Sequence, residues 1–285
     1  MHVLDSENHS SDTESPDSNS VQFHHDDSTR AEGRVGVVTG GASGIGASIG
    51  RWLAHQGADV VLADIDRAGA EKTAGELEAA GGSARACRVD VTEESSVEAL
   101  LESVEREEGR LDYLFANAGV SGPITLEETT YADWQSVIGV NLDGVFLTIL
   151  ESLPLLERGE DPGHVVVTSS ISGRKPKPVM IPYRTSKAAA IMLTRCLAAK
   201  LGPEIRVNAL CPSSIDTPML EENYARRAEE HDLSVAEFRE RREDVPLGRT
   251  PNREDLLQVL DFLLFQNGFV TGHEFHIDGG SYQGL

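Results

Sequence analysis

From residue 34 to its C-terminus, the chain alternates short apolar runs with helix-forming segments. The runs typical of buried strands are 35–39, 60–63, a run ending at 89, 111–115, 165–168, 206–210 and 274–277. Between them lie helical patterns that end near 56 or cover about 67–80, 95–107, 133–151, 182–201 and 256–265. Strands joined in this way by helices form a mainly parallel sheet. The alternation therefore predicts one α/β domain, with a doubly wound, Rossmann-like sheet and helices on both faces.

Residues 1–32 have a different composition, rich in Ser, Asp, Glu and His and without apolar periodicity. Such a segment buries too little apolar surface to offset its ordering entropy. We predict a disordered acidic tail at 1–32 and a folded domain at 33–285. His9, His24 and His25 could bind a metal, but a solvated tail with incidental histidines is the simpler interpretation.

The overall composition disfavours several classes of partner. A net charge of −22 argues against nucleic acid and anionic membranes, and no apolar run approaches the ~20 residues needed to span a bilayer. Cys87, Cys196 and Cys211 show no metal or redox spacing, so no metal site is expected. With an N-terminus unlike a signal or transit peptide, this cysteine usage predicts a cytoplasmic protein. Salt adaptation would explain the acidity, and the effect of salt on activity would test it.

A glycine-rich turn, 40–46, follows the first strand run and opens a helix. Glycines let the backbone approach a pyrophosphate, and a helix N-terminus offers free N–H groups. Such a turn alone is weak support for a nucleotide site. Asp64 ends the second strand run and could accept hydrogen bonds from an adenosine ribose while repelling a 2′-phosphate. A strand-end or N-cap aspartate is the alternative, but the combination favours NAD.

Tyr183 and Lys187 lie four residues apart, after Pro182 and within a long run of helix formers. This spacing places them on one helix face, ~5–6 Å apart at Cβ. A nearby ammonium favours the ionised phenol, whose pKa of ~10 must fall for acid–base chemistry near neutral pH. In isolation, an exposed ion-forming pair would explain the same spacing.

Six motifs occur in order over about 250 residues. They are Thr39-Gly40-x3-Gly44-Ile45-Gly46, Asn117-Ala118-Gly119, Asn141, Ser170, Tyr183-x3-Lys187 and the segment 212–217. Ser170 precedes Tyr183 by thirteen residues. From Arg34 to the C-terminus, the chain therefore resembles the short-chain dehydrogenase/reductase family in its single-domain branch.

The resemblance implies an NAD-dependent oxidoreductase that interconverts a secondary alcohol, cyclic or otherwise bulky, and its ketone. Tyr183 would be the general acid/base, and Lys187 would lower its pKa and bind the nicotinamide ribose. Ser170 would hold the substrate oxygen. Asn141 would fix a water that links Lys187 to solvent, a role that would explain an asparagine inside a helix.

The resemblance also implies a set of cofactor contacts, in which Asp90 and Val91 meet the adenine and Thr217 the carboxamide. The full predicted set is Gly40, Ser43, Gly44, Ile45, Gly46, Asp64, Ile65, Asp90, Val91, Asn117, Ala118, Gly119, Tyr183, Lys187, Pro212, Ser213, Ile215 and Thr217. Ser43 stands where NADP-preferring relatives often carry a basic residue. Ser213 replaces the usual glycine, which puts the carboxamide contacts in doubt.

The substrate end is less defined. Residues of about 215–250 would form a mobile two-helix lid, although an exposed charged insertion would explain them as well. Lys175 and Lys177 could recruit an anionic substrate or lie in a solvated loop. The helices at 133–151 and 183–201 would build a homotetramer or homodimer, unless burial within one subunit explains their apolar faces.

Two other functions compete. A biosynthetic ketoreductase acting on β-ketoacyl thioesters is disfavoured by Asp64, because reductive biosynthesis usually draws on NADPH. A non-catalytic dinucleotide-sensing protein would typically lose part of the catalytic set. Here Asn141, Ser170, Tyr183 and Lys187 are all present.

Overall fold

The computed structural model describes residues 29–159, 161–215, 217–230, 233–240 and 245–283. Seven strands form one sheet in the order β3-β2-β1-β4-β5-β6-β7, and every neighbouring pair is parallel. The strands are β1 Val35–Thr39, β2 Asp59–Asp64, β3 Ser83–Arg88, β4 Tyr113–Ala116, β5 Gly163–Thr168, β6 Ile205–Pro212 and β7 Glu274–Ile277. The order reverses between β1 and β4, and such a reversal leaves a crevice at the carboxyl ends of the strands.

Helices cover both faces of this sheet. They are α1 Gly44–His55, α2 Arg67–Ala79, α3 Glu94–Glu107, α4 Tyr131–Ile138, α5 Gly144–Leu156, α6 Ile181–Leu201, α7 Pro218–Glu230, α8 Val235–Glu240 and α9 Arg253–Asp261. Short helical turns occur at Gly139–Asp143, Ile171–Gly173, Phe262–Gln266 and Ser281–Gln283. The predicted doubly wound α/β architecture is confirmed.

The strands read as continuous apolar runs because both of their faces are buried. Successive side chains of a strand point to opposite faces. Val38 of β1 packs in a core with Trp52 of α1 and Leu256 of α9. Its neighbour Val37 packs on the other face with Leu100 of α3. The sheet is thus the shared wall of two hydrophobic cores, which holds the carboxyl ends of its strands rigidly.

Residues 29–32, which the prediction assigned to the tail, pack against the folded body. Ala31 is fully buried, and its N–H donates to the Gln56 carbonyl at 2.8 Å. The Arg30 guanidinium lies 4.7 Å from the centroid of the Phe265 ring and pairs with Asp261. The polar composition of residues 29–32 gave no indication of these tertiary contacts. Residues 1–28, with the predicted tail and its histidines, lie outside the described residues.

One helical stretch, Tyr131–Leu156, is longer than the predicted 133–151. It begins with a capping box between Thr130 and Asp133. A π-helical turn, Gly139–Asp143, separates α4 from α5. By length and composition alone this stretch could cross a membrane, although the sequence contains no uninterrupted apolar run of that length. Core helices of globular proteins meet the same criterion, and here Val145 and Ile149 pack against the sheet.

Two helices, α7 and α8, lie within the predicted lid. Tyr224 and Ala228 of α7 form a small apolar cluster with Leu220, Leu233 and Val235. This cluster is separate from the two main cores. Residues 216, 231–232 and 241–244 of the predicted lid lie outside the described residues, and the movement of the lid stays a prediction.

Candidate active site

A cleft of about 880 Å³ opens at the carboxyl ends of the strands, within the usual size of a ligand site. Both the glycine turn and the Tyr183–Lys187 pair line it. The predicted cofactor residues that line it are Gly40, Ser43, Gly44, Ile45, Asp64, Ile65, Asp90, Val91, Asn117, Ala118, Gly119, Tyr183, Lys187, Pro212, Ser213, Ile215 and Thr217. Ser170 lines it as well, whereas Gly46 and Asn141 lie behind its surface.

The glycine turn depends on close backbone packing. Gly40 has a φ of 69°, in the left-handed region that favours glycine. A Cβ on Gly46 would lie 2.0 Å from the Gly40 carbonyl oxygen and 2.7 Å from Asn117 Nδ2. Position 46 therefore has no room for a side chain, and the backbone of Gly46 packs directly against the glycine turn. Asn117 Nδ2 donates to the Thr39 carbonyl at 3.0 Å, so this predicted cofactor residue also ties the turn to the end of β4.

The N-terminus of α1 fits a pyrophosphate. The side chain of its N-cap residue, Ser43, makes no capping hydrogen bond, and no acidic residue stands in the first helical turn. This is notable in a chain with 47 Asp and Glu residues. The first N–H groups of a helix have no partner within the helix, and the helix dipole there favours an anion. The cleft thus offers N–H donors, and no carboxylate of the first turn, at the position where a dinucleotide would place its phosphates.

Asp64 is the last residue of β2, and its carboxylate is held by the backbone. Oδ2 accepts from the Ala42 N–H at 3.0 Å, and Oδ1 accepts from the Asp66 N–H at 2.9 Å. The N-cap of α2 is Asp66, whose side chain accepts from the Gly69 N–H. Capping is therefore not the role of Asp64. Its remaining lone pairs can accept from a ribose hydroxyl.

Asp90 lies at the same end of the cleft, beyond β3. Its Oδ1 accepts from the hydroxyl and the N–H of Thr92, at 2.7 and 3.0 Å. These hydrogen bonds lower the pKa of Asp90. The carboxylate is thereby fixed as an anion at the rim of the predicted adenine site.

Ser170, Tyr183 and Lys187 meet at the opposite end. The Ser170 hydroxyl accepts from the Ser172 N–H at 3.1 Å and donates to the Pro212 carbonyl at 3.4 Å. Lys187 Nζ donates to the Thr168 carbonyl at 2.7 Å and lies 5.8 Å from the centroid of the Tyr183 ring. Three of the four predicted catalytic side chains, Ser170, Tyr183 and Lys187, thus line the same end of the cleft.

Burial acts on the pKa of Tyr183 in the opposite direction to the effect expected of Lys187. Burial raises the pKa of Tyr183, and its hydrogen bond with Ser170 and the charge of Arg184 oppose the shift only in part. Burial also lowers the pKa of Lys187, to about 8. The Lys187 ammonium donates to the Thr168 carbonyl, and the lowering of the Tyr183 pKa by Lys187 stays a prediction.

Asn141 is fully buried inside the π-helical turn. Its Oδ1 accepts from the Val120 N–H at 2.8 Å, and its Nδ2 donates to the Val120 carbonyl at 2.9 Å. Nδ2 also donates to the Ser186 hydroxyl at 3.1 Å. The side chain therefore joins the segment after β4 to α6. Asn141 Oδ1 and Lys187 Nζ flank Gly119, at 3.3 and 3.4 Å from the position of a Cβ there.

Serine fits at position 213 without strain. Met180 is the one non-glycine residue with a positive φ in the described ranges, so Ser213 has a backbone angle open to any residue. Its N–H donates to the Ile277 carbonyl at 3.0 Å, which continues the pairing of β6 with β7. Beyond it, the Thr217 hydroxyl accepts from the Leu220 N–H at 3.2 Å and so caps α7.

The sequence analysis missed Arg184. Its guanidinium donates to the carbonyls of Val179 at 2.8 Å, Lys175 at 2.7 Å and Ser172 at 3.4 Å. These bonds fix the segment between Ser170 and α6. The one available signal was a basic residue directly after the tyrosine.

One group of side chains has the composition of a metal site. Ligand atoms of Cys211, Glu274 and His276 lie within 4.8 Å of one another. Glu274 is ion-paired with Arg174 and Arg195, at 2.6 and 3.0 Å. Two cations on the carboxylate compete with any metal ion, and the absence of a metal stays a prediction.

Comparison with known proteins identifies the family. The family model described as Enoyl-(Acyl carrier protein) reductase matches residues 40–282. This chain belongs to the short-chain dehydrogenase/reductase family.

Members with assigned activities cover nearly the whole domain. The 3-oxoacyl-(acyl-carrier-protein) reductase FabG of Thermotoga maritima is 35% identical over 253 residues, which cover 88% of this chain and 98% of the relative. The cis-4-hydroxycyclohexanecarboxylate dehydrogenase of Sinomonas cyclohexanicum is 38% identical over 250 residues, 87% of this chain and 96% of the relative. Among solved structures, NAD+-bound xylitol dehydrogenase has a TM-score of 0.81 and 30% identity, and the match covers 88% of this chain and 99% of that one. This short-chain dehydrogenase/reductase is thus an NAD(P)-linked oxidoreductase of alcohols and ketones.

Proposed function

We propose that the protein is an NAD-dependent dehydrogenase that interconverts a secondary alcohol, cyclic or otherwise bulky, and its ketone. The observation that carries this proposal is the convergence of Ser170, Tyr183 and Lys187 on the cleft that also holds the glycine turn and Asp64. Each group alone has a structural explanation. Their common cleft joins a dinucleotide site to an acid–base site.

The preference for NAD rests on the Asp64 carboxylate. It is fixed by two backbone N–H groups and cannot turn away without losing both hydrogen bonds. Two like unit charges 4 Å apart repel by about 4 kcal/mol at an effective dielectric constant of ~20. A 2′-phosphate near Asp64 would meet a repulsion of this order, whereas a ribose hydroxyl would donate to the carboxylate. Ser43 supplies no cation to offset that repulsion.

The catalytic roles follow from the positions of the side chains. The Ser170 hydroxyl would hold the substrate oxygen beside Tyr183, and the phenol would exchange a proton with that oxygen. A bound nicotinamide ring would supply the hydride chemistry. Burial raises the pKa of Tyr183 and so keeps the phenol protonated, which is the form that gives a proton to a ketone. Alcohol oxidation needs the phenolate, which the charge of Lys187 would stabilise. Asn141 would hold the water that connects Lys187 with solvent.

A cyclic or bulky substrate suits the lining beyond Ser170. Ile171, Met180, Met219 and Leu220 line this part of the cleft. Pockets lined by apolar side chains with a few polar groups bind organic ligands of matching size. The relative that acts on cis-4-hydroxycyclohexanecarboxylate, by its name, supports a ring-bearing alcohol. The helices α7 and α8 would close over such a substrate.

Reduction of a β-ketoacyl thioester is the second candidate. The Thermotoga relative carries that activity in its name. Against it stands Asp64, because the reductive direction usually draws on NADPH. Acetoacetyl thioesters with NADH and NADPH would distinguish the two functions.

The experiment follows the absorbance of reduced cofactor with a panel of secondary alcohols and NAD or NADP. Tyr183→Phe should lower kcat by about 100-fold or more, since it removes the proton-transfer group. Tyr131→Phe is the matched control, because Tyr131 is 74% exposed on α4, and its kcat should be unchanged. If Tyr183→Phe retained more than a tenth of the wild-type kcat, the role of Tyr183 would be wrong.

We also propose a cytoplasmic homotetramer or homodimer. Phe146 and Leu150 on α5 and Met192 on α6 are large apolar side chains that are 44–56% exposed. Contiguous exposed apolar surface marks interaction sites. A monomeric mass by light scattering would contradict this assembly.

A further inference from the structure

Three charged side chains near β7 take no part in the proposed proton transfer. The carboxylate of Glu274, on β7, accepts two hydrogen bonds from the Arg174 guanidinium, from Nε at 2.8 Å and from Nη2 at 2.6 Å. Arg195 of α6 donates to the same carboxylate at 3.0 Å. Two-point pairing of a guanidinium with a carboxylate fixes direction as well as distance. Glu274 therefore joins three parts of the fold: β7, α6 and the segment that follows Ser170.

The Glu274 carboxylate is largely shielded from solvent and ionised. Its side chain is 14% exposed, and that of Arg174 is 30% exposed. Burial acts to raise the pKa of Glu274, but the hydrogen bond with Arg174 and the charges around the carboxylate lower it overall. The bonds from both arginines are therefore charge-assisted, and such bonds are roughly twice as strong as those between neutral groups.

The turn that carries Ser170 is closed by its own hydrogen bonds. Its N-cap is Ser170, whose side chain accepts from the Ser172 N–H at 3.1 Å, and its C-cap is Arg174. The Gly173 N–H donates to the Ser170 carbonyl at 3.0 Å. Ser170 and Arg174 thus stand at the two ends of one short turn, and a displacement of Arg174 also moves the backbone of Ser170.

The apolar support of this turn is a small cluster. Ile171 is partly buried and packs against Ile191 of α6, together with Ala209 and Cys211 of β6. This cluster is separate from the two main cores that flank the sheet. Segments with few buried apolar contacts open locally at a lower free energy than core strands. The ion pairs of Glu274 therefore add order where apolar packing is limited.

We propose that Glu274 is a positioning residue for the active site. Through Arg174 it holds the turn that presents the Ser170 hydroxyl, and through Arg195 it holds α6, the helix that presents Tyr183. The carboxylate thereby sets the distance between the two groups that share the substrate oxygen. This inference rests on the proposed dehydrogenase function and extends it to a residue beyond those that line the cleft.

The test measures kcat for a secondary alcohol with the full-length Glu274→Gln protein and saturating NAD. The amide keeps the size of the carboxylate but removes its charge, and its NH2 group cannot accept from Arg174. A misplacement near 1 Å at a catalytic group costs up to about 100-fold in rate, so we expect kcat to fall by about 10- to 100-fold. The Kd of NAD, measured by calorimetry, should stay within about twofold of the wild-type value, because the glycine turn and Asp64 follow β1 and β2, which β4, β5 and β6 separate from β7. A matching loss of NAD affinity would overturn the positioning role.

The matched control is Glu108→Gln. Glu108 forms a two-point pair with Arg85, at 2.7 and 2.8 Å, and the two side chains are 13% and 26% exposed. This pair involves β3, at the opposite edge of the sheet from β7. Both variants should lower the thermal midpoint, whereas kcat should fall in Glu274→Gln alone. An equal loss of kcat in both variants, or a kcat of Glu274→Gln within twofold of the wild type, would overturn the proposal.

A second variant keeps the proposal testable if Glu274→Gln does not fold. Arg174→Met breaks the two-point pair and leaves Glu274 with Arg195, so we expect a smaller loss of kcat, about three- to tenfold. An unchanged kcat in Arg174→Met would overturn the proposal. In the double variant the two losses should not multiply, because both changes break the same contact. Losses that multiply would contradict the coupling of Arg174 with Glu274.

Hydrogen exchange separates this inference from the proposed function. If the wild type oxidised no alcohol, the proposed function would fail, and exchange in a peptide covering 170–175 would decide on Glu274. The amides of Ser172 and Gly173 are held by the hydrogen bonds of the turn. Loss of the Glu274 ion pairs should speed exchange in this peptide by about fivefold or more, whereas Glu108→Gln should leave it at the wild-type rate. Unchanged exchange in Glu274→Gln would overturn the positioning role.

Discussion

Substitution of Gly173 by alanine should damage the active site without touching any of its reacting groups. Gly173 ends the short helical turn that follows Ser170, and its N–H donates to the Ser170 carbonyl at 3.0 Å. An added Cβ would lie 2.7 Å from the backbone N of Ala188 and 2.7 Å from the backbone C of Lys187. Ordinary contact begins at 3.4 Å, so the turn and α6 would have to separate by about 0.7 Å.

Both surfaces at this contact are backbone and cannot move aside as a flexible side chain can. The separation would weaken the 2.8 Å hydrogen bond from the Ser169 hydroxyl to the Lys187 carbonyl and shift Ser170 relative to Tyr183. Overpacking of this kind costs about 1–3 kcal/mol. A misplacement near 1 Å at a catalytic group costs up to about 100-fold in rate. We expect kcat to fall by about 10- to 100-fold and the thermal midpoint to fall by several degrees.

The assay measures kcat for a secondary alcohol with NAD, together with the thermal midpoint. Gly75→Ala is the matched control: Gly75 lies in α2 and a Cβ there meets nothing within 4 Å. That change should add up to about 1 kcal/mol of stability and leave kcat unchanged. A Gly173→Ala protein with a kcat within twofold of the wild type would refute the argument from backbone contact.

Three further predictions concern the cofactor and pH. Asp64→Asn should reduce the ratio of kcat/KM for NAD over NADP by about tenfold or more, since it removes the repulsion of the 2′-phosphate, and an unchanged ratio would contradict the role of Asp64. The kcat/KM of alcohol oxidation should rise by up to about tenfold per pH unit between pH 7 and 9, because burial raises the pKa of Tyr183 and oxidation needs its phenolate. A flat profile would exclude Tyr183 as the base. His164 is buried, and its pKa is lowered to about 3, first by burial and then by the charge of Arg206. Between pH 6.5 and 3, the unfolded chain therefore binds more protons than the folded protein. The neutral His164 contributes at most about 5 kcal/mol to the free energy of unfolding. This contribution is complete above pH 6.5 and is lost as pH falls toward 3. Thermal midpoints of His164→Gln should fall less steeply than those of the wild type between pH 6.5 and 4.

Most of the architecture could be predicted from local patterns. The alternation of strand and helix requires parallel pairing, and the continuous apolar runs show that both sheet faces are covered. Spacing was informative for the site as well. The four-residue separation of Tyr183 and Lys187 places them on one helix face. The glycines at 40–46 indicate a turn whose backbone can approach a ligand closely. These features depend on neighbours in sequence, which is why sequence alone reveals them.

The features that were missed depend on distant contacts. Burial in the assembled cleft raises the pKa of Tyr183, an effect that the spacing to Lys187 does not reveal. Ala31 is buried in a core that includes Trp52 and Leu53 of α1, and the polar composition around it does not reveal this. The bracing role of Arg184 depends on a segment whose path local patterns do not determine.

The π-helical turn at Gly139–Asp143 has a consequence for insertions and deletions. Such a turn holds a residue more than a regular α-helical turn, and each residue of an α-helix advances the direction of side chains by about 100°. Loss of a single residue here would restore regular winding and rotate α5 about its axis relative to α4. Val145 would then leave the core and Phe146 would enter it, while the amide of Asn141 would swing away from Val120. Length variation, which surface loops absorb readily, would at this position turn the buried face of α5 by about 100° and detach the segment after β4 from the helix.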